Sequence, residues 1–331
     1  MVAVLDELVR WVRRSYVRTR EQGWDGAHRS AYLLHRGFWR FGATLGIGTN
    51  VFERDWDVLV VLDGVRVDTM RSVAGEHDAF RPVGTLRSVG STSGEWIENT
   101  FVEEDAPLLA RTGYVTANPF STVLDRKRDD ATPAYLDEVW RYGFDEDLGT
   151  VPPRVVTDRA LVVDRDADLD RLVVHYMQPH QPFIADDAPL RGVSTMAGVV
   201  ENRDGGRDEW EPGSVHANNV WYMLATGEVS CEELVASYRA NLELVLEEVE
   251  HLLENLATDR VAITADHGNA AGEWWMYGHP RGFLHPVVRT VPWIETKGRG
   301  PGEYEPAPPP GRRGHGRRGR AHRAGIPLMT R

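Results

Sequence analysis

The sequence predicts an α/β fold in which a mostly parallel sheet is sandwiched by helices. Short runs of aliphatic and β-branched residues alternate with longer runs whose apolar residues recur at helical spacing. The chain has 331 residues, 41% of them hydrophobic and 27% charged, which is enough to bury one large core or two modest ones. Strands separated by helices pair in parallel, so ligands are expected beyond the carboxyl ends of the strands.

Each predicted element has its own signal in the chain. A helix is predicted over 232–255 because its apolar residues follow the i, i+3, i+4, i+7 pattern of one buried face. Shorter helical runs pass through Leu108 and Leu109 and cover 95–102. The predicted strands are short and apolar, and they lie at 57–62, 113–118, 171–177, 261–265 and 287–294.

The two ends of the chain differ in composition from the middle. Residues 1–50 begin with an amphipathic helical segment, residues 51–300 form the predicted globular domain, and residues 301–331 are a low-complexity basic tail, predicted to be disordered. Two acidic residues, Asp6 and Glu7, interrupt the position of a signal-peptide core, so the predicted location is the cytoplasm. The arginines of the first helix either contact an anionic membrane surface or pair with the acidic body; they are Arg10, Arg13, Arg14 and Arg18.

The charge is strongly acidic and unevenly distributed. The formal net charge is −12, but Pro306–Arg331 carries seven arginines and no acidic residue, so the residues before it carry −19. Such a surface repels nucleic acid backbones, which argues against a duplex-binding role. The acid excess, with only two lysines, predicts a protein that works at high salt, from a halophilic archaeon. The abrupt change near Glu305 favours a tail read out of frame over an anion-binding arm.

Residues able to bind a metal follow three of the predicted strands. Asp63 precedes a glycine after the first strand, His175 and His180 lie in VVHYMQPHQPF, and Asp266 and His267 follow the strand at 261–265. Any one of them could be a cap or a solvated loop residue. Together they favour a site for a divalent ion (Zn, Mn, Mg or Ca, one ion or two), because carboxylates and imidazoles are ligands of such ions. The single cysteine, Cys231, excludes a cysteine-rich zinc site.

A loop rich in hydroxyls supplies a candidate nucleophile. Ser91, Thr92 and Ser93 lie between glycines, directly before the helix predicted at 95–102. One interpretation is an ordinary helix N-cap. The other is a hydroxyl that a divalent ion activates for attack on phosphorus or sulfur, next to helix amides aimed at an anion.

In this order the motifs resemble the alkaline phosphatase superfamily, specifically its sulfatase-like branch, along residues 57–294. They are the aspartate after the first strand, the hydroxyl-bearing helix start, GYVTA, HYMQPHQPF, TADHG and VPWI. The resemblance implies that residues 51–300 are a short catalytic domain of this type. It implies a first metal site formed by Asp63, Thr92, Asp266 and His267, with Thr92 as nucleophile. His175, His180 and His279 would hold the oxygens of the transferred group or a second metal, with Ser91, Ser93, His175 and Asn118 on the substrate side.

The departures from this branch favour phosphoryl over sulfuryl chemistry. Formylglycine sulfatases carry C-x-P-S-R where this chain has Thr92-Ser93-Gly94-Glu95-Trp96, and Cys231 lies elsewhere. The second acid after the first strand is Gly64 here, and a Gly-Lys pair is replaced by Asn118-Pro119. The expected activity is transfer or hydrolysis of a phosphate ester or diester, on a small molecule or a glycan- or lipid-linked group. His180 or His279 would protonate the leaving group, since histidine titrates near neutral pH.

Two further interpretations stay open from the sequence. One is a sulfatase-like sulfuric ester hydrolase, and the other is a catalytically silent homologue that binds an anion or a carbohydrate. Three tryptophans flank the motifs and are either packing residues or walls of a sugar or glycerol pocket; they are Trp96, Trp274 and Trp275. The segment at 198–215 is predicted to be a long surface loop.

Overall fold

The backbone forms one central sheet of seven strands. The structure is a computed structural model and describes residues 47–75, 77–193 and 220–309. The strand order is β2-β9-β6-β1-β5-β3-β4, and a separate two-stranded ribbon pairs β7 with β8. The strands are β1 (Val58–Asp63), β2 (Gly84–Arg87), β3 (Thr112–Thr116), β4 (Tyr135–Glu138), β5 (Arg171–Pro179), β6 (Val261–Ala265), β7 (Ala270–Ala271), β8 (Tyr277–Gly278) and β9 (Thr290–Thr296).

Helices connect the strands and cover the sheet. The long helix predicted from apolar spacing is confirmed, and a capping box at Ser230 and Glu233 starts it. The described helices are α1 (Val67–Ala74), α2 (Ser93–Thr100), α3 (Ala106–Leu109), α4 (Pro153–Asp166), α5 (Val220–Thr226), α6 (Cys231–Glu254) and α7 (Pro286–Arg289), with several short 3-10 helices between them.

The mostly parallel sheet predicted from the sequence is confirmed. β6, β1, β5, β3 and β4 are parallel neighbours, while β9 runs antiparallel between β2 and β6. Successive residues of β5 point to opposite faces. The Tyr176 hydroxyl lies 2.9 Å from Thr157 Oγ1 of α4, whereas the His175 ring packs edge-on against Trp96 of α2, with centroids 5.5 Å apart. Helices therefore cover both faces.

The strand predicted at 287–294 begins three residues further along the chain, at Thr290. Pro286 occupies the first turn of α7, and the His285 side chain accepts a hydrogen bond from Val287 N at 3.1 Å. This cap starts a single helical turn, so the extended backbone begins at Thr290. Apolar composition alone did not distinguish that turn from a strand.

The chain stays packed beyond β9. The Tyr304 hydroxyl donates to Asp158 Oδ1 at 2.8 Å, and its ring lies edge-on to His251, with centroids 4.3 Å apart. The first helical segment up to residue 46, the loop predicted at 198–215 and the tail from residue 310 lie outside the described residues. Among the described helices, none has both the length and the apolar character needed to cross a membrane.

Candidate active site

Three strand ends meet at one edge of the sheet. Asp63 is the last residue of β1, and Asp266 and His267 follow β6, its parallel neighbour. One ligand atom from each of these three residues lies within 4.8 Å of the other two, and all three side chains are buried. The residues that the sequence placed at the strand ends therefore form a cluster with the composition of a metal site.

One carboxylate oxygen of Asp266 is hydrogen-bonded to the backbone, and the other has no hydrogen-bond partner among the described residues. Oδ1 accepts hydrogen bonds from Gly64 N at 2.9 Å and from His267 N at 2.8 Å. Oδ2 has no hydrogen-bond partner among the described residues and lies 3.5 Å from His267 Nε2. The backbone thus orients the carboxylate and leaves one oxygen aimed into the cluster.

Asp63, like Asp266, has one hydrogen-bonded carboxylate oxygen and one without a partner among the described residues. Its Oδ2 accepts from Asn118 Nδ2 at 2.9 Å and from Ser93 Oγ at 3.3 Å. Its Oδ1 has no hydrogen-bond partner among the described residues and lies 3.6 Å from His267 Nε2. Asn118 also accepts from Phe120 N at 2.9 Å, so both ends of its buried amide are engaged. The structure thus places Asn118, expected on the substrate side, as a support for Asp63.

The His267 imidazole faces both carboxylates. Its Nδ1 lies 3.0 Å from the Gly268 carbonyl oxygen, which can only accept, so Nδ1 donates there and Nε2 is the ring nitrogen directed at the cluster. Burial and the charge of Asp266 raise the pKa of Asp63 well above 3.8. Unneutralised charges are costly to bury, so two adjacent carboxylates and an imidazole nitrogen fit a divalent cation.

Gly64 is required by the geometry of the cluster. Its φ is +76°, and a Cβ there would come within 2.5 Å of Asn269 Nδ2 and 2.7 Å of the Tyr238 hydroxyl. Asn269 Nδ2 itself donates to the Gly64 carbonyl at 2.9 Å. The close approach of these side chains explains why glycine follows Asp63 in this chain.

The three hydroxyls of the loop before α2 have different surroundings. Ser93 Oγ lies 3.3 Å from Asp63 Oδ2 and 3.5 Å from His267 Nε2. Thr92 is the N-cap of α2, and its Oγ1 accepts from Glu95 N at 3.1 Å. The Ser91 hydroxyl contacts Glu95 Oε2 at 2.6 Å and the Pro280 carbonyl at 2.9 Å. Thr92 therefore caps the helix, and Ser93 is the hydroxyl that borders the cluster of Asp63, Asp266 and His267.

His175 extends the cluster from β5. Its Nδ1 lies 2.8 Å from the Tyr114 hydroxyl. Its Nε2 lies 3.8 Å from Asp266 Oδ2 and has no hydrogen-bond partner among the described residues. Burial lowers the pKa of His175 to about 4, so the imidazole is neutral at pH 7. A neutral imidazole with a free ring nitrogen can bind a metal or accept a proton.

His180 and His279 lie together beside His267. The His267 and His279 rings are stacked with centroids 4.1 Å apart, and His180 Nε2 lies 3.3 Å from His279 Nε2. His180 Nδ1 lies 2.8 Å from the Gln181 carbonyl and therefore carries its proton. Burial lowers the pKa of His180 to about 4 and that of His279 well below 6.5. The sequence predicted that these histidines titrate near neutral pH, and burial shifts both pKa values away from that range. In the neutral pair, His279 Nε2–H donates to His180.

Two residues near the site were missed from the sequence. Glu95 in α2 and Arg289 at the end of α7 form an ion pair at 3.1 Å that is 3% and 2% exposed. Glu95 stands three residues after Thr92, which matches a capping-box pattern, but nothing in the sequence pairs it with Arg289. Trp96 is buried, consistent with a packing role, whereas Trp274 is 56% exposed; the side chain of Trp275 lies outside the described part.

Several solved structures resemble this chain at low identity. One is the soluble domain of lipooligosaccharide phosphoethanolamine transferase A from Neisseria meningitidis, with 16% identity and a TM-score of 0.46 over 73% of this chain and 76% of that one. Another is the C-terminal periplasmic domain of phosphoethanolamine transferase EptC from Campylobacter jejuni, with 16% identity and a TM-score of 0.44 over 72% and 77%. A third is a 2-O GAG sulfatase, with 14% identity and a TM-score of 0.40 over 74% and 64%.

No protein-family model and no curated protein sequence matches the chain. The roles of individual residues therefore rest on the geometry of this site.

Proposed function

We propose that this protein is a metal-dependent enzyme that transfers or hydrolyses a phosphate ester or diester through a hydroxyl at the start of α2. One observation carries the proposal: Asp63 Oδ1, Asp266 Oδ2 and His267 Nε2 converge beside the Ser93 hydroxyl. Two carboxylate oxygens and one imidazole nitrogen suit Zn²⁺ or Mn²⁺. Such an ion, when bound, supplies Lewis-acid stabilisation of negative charge at the hydroxyl and on the transferred group.

The side chains provide the proton transfers. Ser93 Oγ attacks phosphorus, and its proton passes to Asp63 Oδ2, which lies 3.3 Å away. A bound anionic substrate favours the protonated form of His279. The bond from phosphorus to the leaving oxygen breaks, and His279, which faces His180 in the ligand-free site, gives that oxygen a proton and returns to its neutral form. Water or an acceptor alcohol then takes the phosphoryl group from the serine and returns a proton to the site.

Charge balance favours a singly charged substrate. Asp63 and Asp266 together offset one divalent ion, and the imidazoles of His175 and His180 are neutral at pH 7 because burial lowers each pKa to about 4. A site with one ion thus has little excess positive charge for the dianion of a phosphate monoester. A phosphodiester carries one charge, so we expect diesters to be the better substrates.

The identity of the nucleophile is tested by a pair of variants. Ser93 is supported by its distances to Asp63 and His267, and Thr92 by the motif order that resembles the superfamily. We expect Ser93→Ala to abolish turnover while the metal content stays near normal. We expect Thr92→Ala to lose about 1 kcal/mol of stability as a cap residue. Lost turnover in Thr92→Ala, with normal turnover in Ser93→Ala, would assign the reaction to Thr92 instead.

The function itself is tested with metal analysis and three esters. Purified protein is analysed for bound metal and assayed with p-nitrophenyl phosphate, bis-p-nitrophenyl phosphate and p-nitrophenyl sulfate, at low and high salt. The proposal expects one bound transition-metal ion and fastest release from the diester. Fastest release from the sulfate would indicate a sulfuric ester hydrolase. Bound metal without turnover of any ester would indicate the silent homologue and contradict the proposal.

A further inference from the structure

The carboxylate of Glu95 is buried and surrounded by hydrogen-bond donors. Its Oε1 accepts from Arg289 Nη2 at 3.1 Å. Its Oε2 accepts from Ser91 N at 2.8 Å, from Ser91 Oγ at 2.6 Å and from Gly282 N at 3.2 Å. One side chain thus contacts the loop before α2, the loop after His279 and the end of α7.

Ser91 and Arg289 reinforce the same connection. Ser91 Oγ lies 2.9 Å from the Pro280 carbonyl and accepts from Phe283 N at 3.1 Å. Arg289 donates to the Phe283 carbonyl at 3.1 Å through Nε and to the Ser88 carbonyl at 3.2 Å through Nη1. Segment 88–95 and segment 280–283 are therefore held together by one buried polar network.

Two reacting groups of the proposed site lie within or next to these segments. Ser93 lies in the first segment, and His279 directly precedes the second. Burying an ion pair is rarely the most stable solution, because apolar residues of similar volume often stabilise a fold as well or better. What such a network provides is a defined geometry, and group transfer is sensitive to displacements of about 1 Å.

We infer that Glu95 is a positioning residue that, through Arg289 and Ser91, fixes the Ser93 hydroxyl relative to the His279 imidazole. This inference rests on the proposed function, because it assigns Glu95 a role in that reaction. Glu95 itself touches neither the cluster of Asp63, Asp266 and His267 nor their free atoms through any described hydrogen bond. Its substitution should therefore change the rate of transfer and leave metal binding almost intact.

The test compares Glu95→Gln with Asp137→Asn as a matched control. Asp137 is a largely buried carboxylate of edge strand β4, paired with Arg159 Nη2 at 2.9 Å and accepting from the Tyr142 hydroxyl at 2.7 Å. Both variants remove the charge from a carboxylate paired with arginine, so both should lower the melting temperature. We expect kcat to fall at least about 100-fold in Glu95→Gln alone. KM and the affinity for Zn²⁺ or Mn²⁺ should change by less than about threefold.

A kcat of folded Glu95→Gln within about threefold of the Asp137→Asn value would overturn the inference. If Glu95→Gln does not fold, the Ser91→Ala variant tests the inference instead. It keeps the ion pair between Glu95 and Arg289 and removes the side-chain contacts to Pro280 and Phe283. A lower kcat at unchanged KM supports positioning. A raised KM at unchanged kcat supports the substrate contact expected of Ser91 from the sequence, and unchanged kinetics overturn the inference.

Amide hydrogen exchange separates this inference from the proposed function. The amides of residues 281–283 should exchange faster in Glu95→Gln and Ser91→Ala than in wild type, and at the wild-type rate in Asp137→Asn. Unchanged exchange would show that Glu95 does not hold the segment, whatever the turnover. If the wild type turns over none of the three esters, the proposed function fails. Faster exchange would then leave Glu95 as a link between the segments but remove its role in a reaction.

Discussion

Replacing Asn118 with alanine should weaken metal binding although Asn118 is not a proposed ligand. Its Nδ2 donates to Asp63 Oδ2 at 2.9 Å and so turns Oδ1, the atom without a partner, toward His267. A hydrogen bond to a charged group contributes about 1.5–3 kcal/mol. At about 1.4 kcal/mol per tenfold change, its loss corresponds to roughly 10- to 100-fold in affinity. That range matches the effect of removing residues that orient metal ligands.

The assay is calorimetric titration of metal-free protein with Zn²⁺ and with Mn²⁺. Asn118→Ala also loses the acceptor for Phe120 N, so its melting temperature is measured separately to confirm that the protein is folded. Asn255→Ala is the matched control, because its buried amide donates to the His251 carbonyl at 2.9 Å at the end of α6. An Asn118→Ala affinity within about twofold of the Asn255→Ala value would refute the reasoning that Asn118 orients Asp63 as a ligand.

Three further predictions concern the same cluster. Burial and the charge of Asp266 raise the pKa of Asp63, so at lower pH a metal ion must displace the proton of Asp63 in order to bind. The increase in melting temperature caused by Zn²⁺ should therefore become smaller between pH 8 and pH 5.5. A constant increase over this range would contradict the prediction. Gly64→Ala should destabilise the metal-free protein by at least about 1 kcal/mol in urea unfolding, since its Cβ meets Asn269 at 2.5 Å and its φ is positive; unchanged stability would show that the loop relaxes freely. Tyr114→Phe removes the partner of His175 Nδ1 and should change the ring's tautomer populations in ¹⁵N NMR spectra of metal-free protein, whereas unchanged nitrogen shifts would show that the hydroxyl does not set the tautomer.

The sheet and the strand-end residues were predictable because each carries a local signal. Aliphatic runs define strands such as β6, and parallel pairing brings their carboxyl ends to one edge, which is why Asp63 and Asp266 could be placed together. The single turn of α7 was not predictable, because a cap from His285 outweighs the β propensity of Val287 and Val288.

The finer arrangement of the site depends on contacts that sequence spacing does not encode. Ser91, Thr92 and Ser93 are equivalent by composition, and only the first turn of α2 decides that Ser93 borders the cluster. The pairing of Glu95 with Arg289 joins residues almost two hundred positions apart, so no local pattern indicates it. Burial also shifts the pKa of His180 to about 4, which residue type alone could not indicate.

The most direct test of the central claim is a crystal structure of the protein soaked with Zn²⁺ or Mn²⁺, measured at the absorption edge of the metal. The account predicts one anomalous peak within about 2.0–2.3 Å of Asp63 Oδ1, Asp266 Oδ2 and His267 Nε2, with the Ser93 hydroxyl beside it. A peak elsewhere, or these side chains turned into separate environments with no metal between them, would contradict both the metal site and the reaction proposed from it.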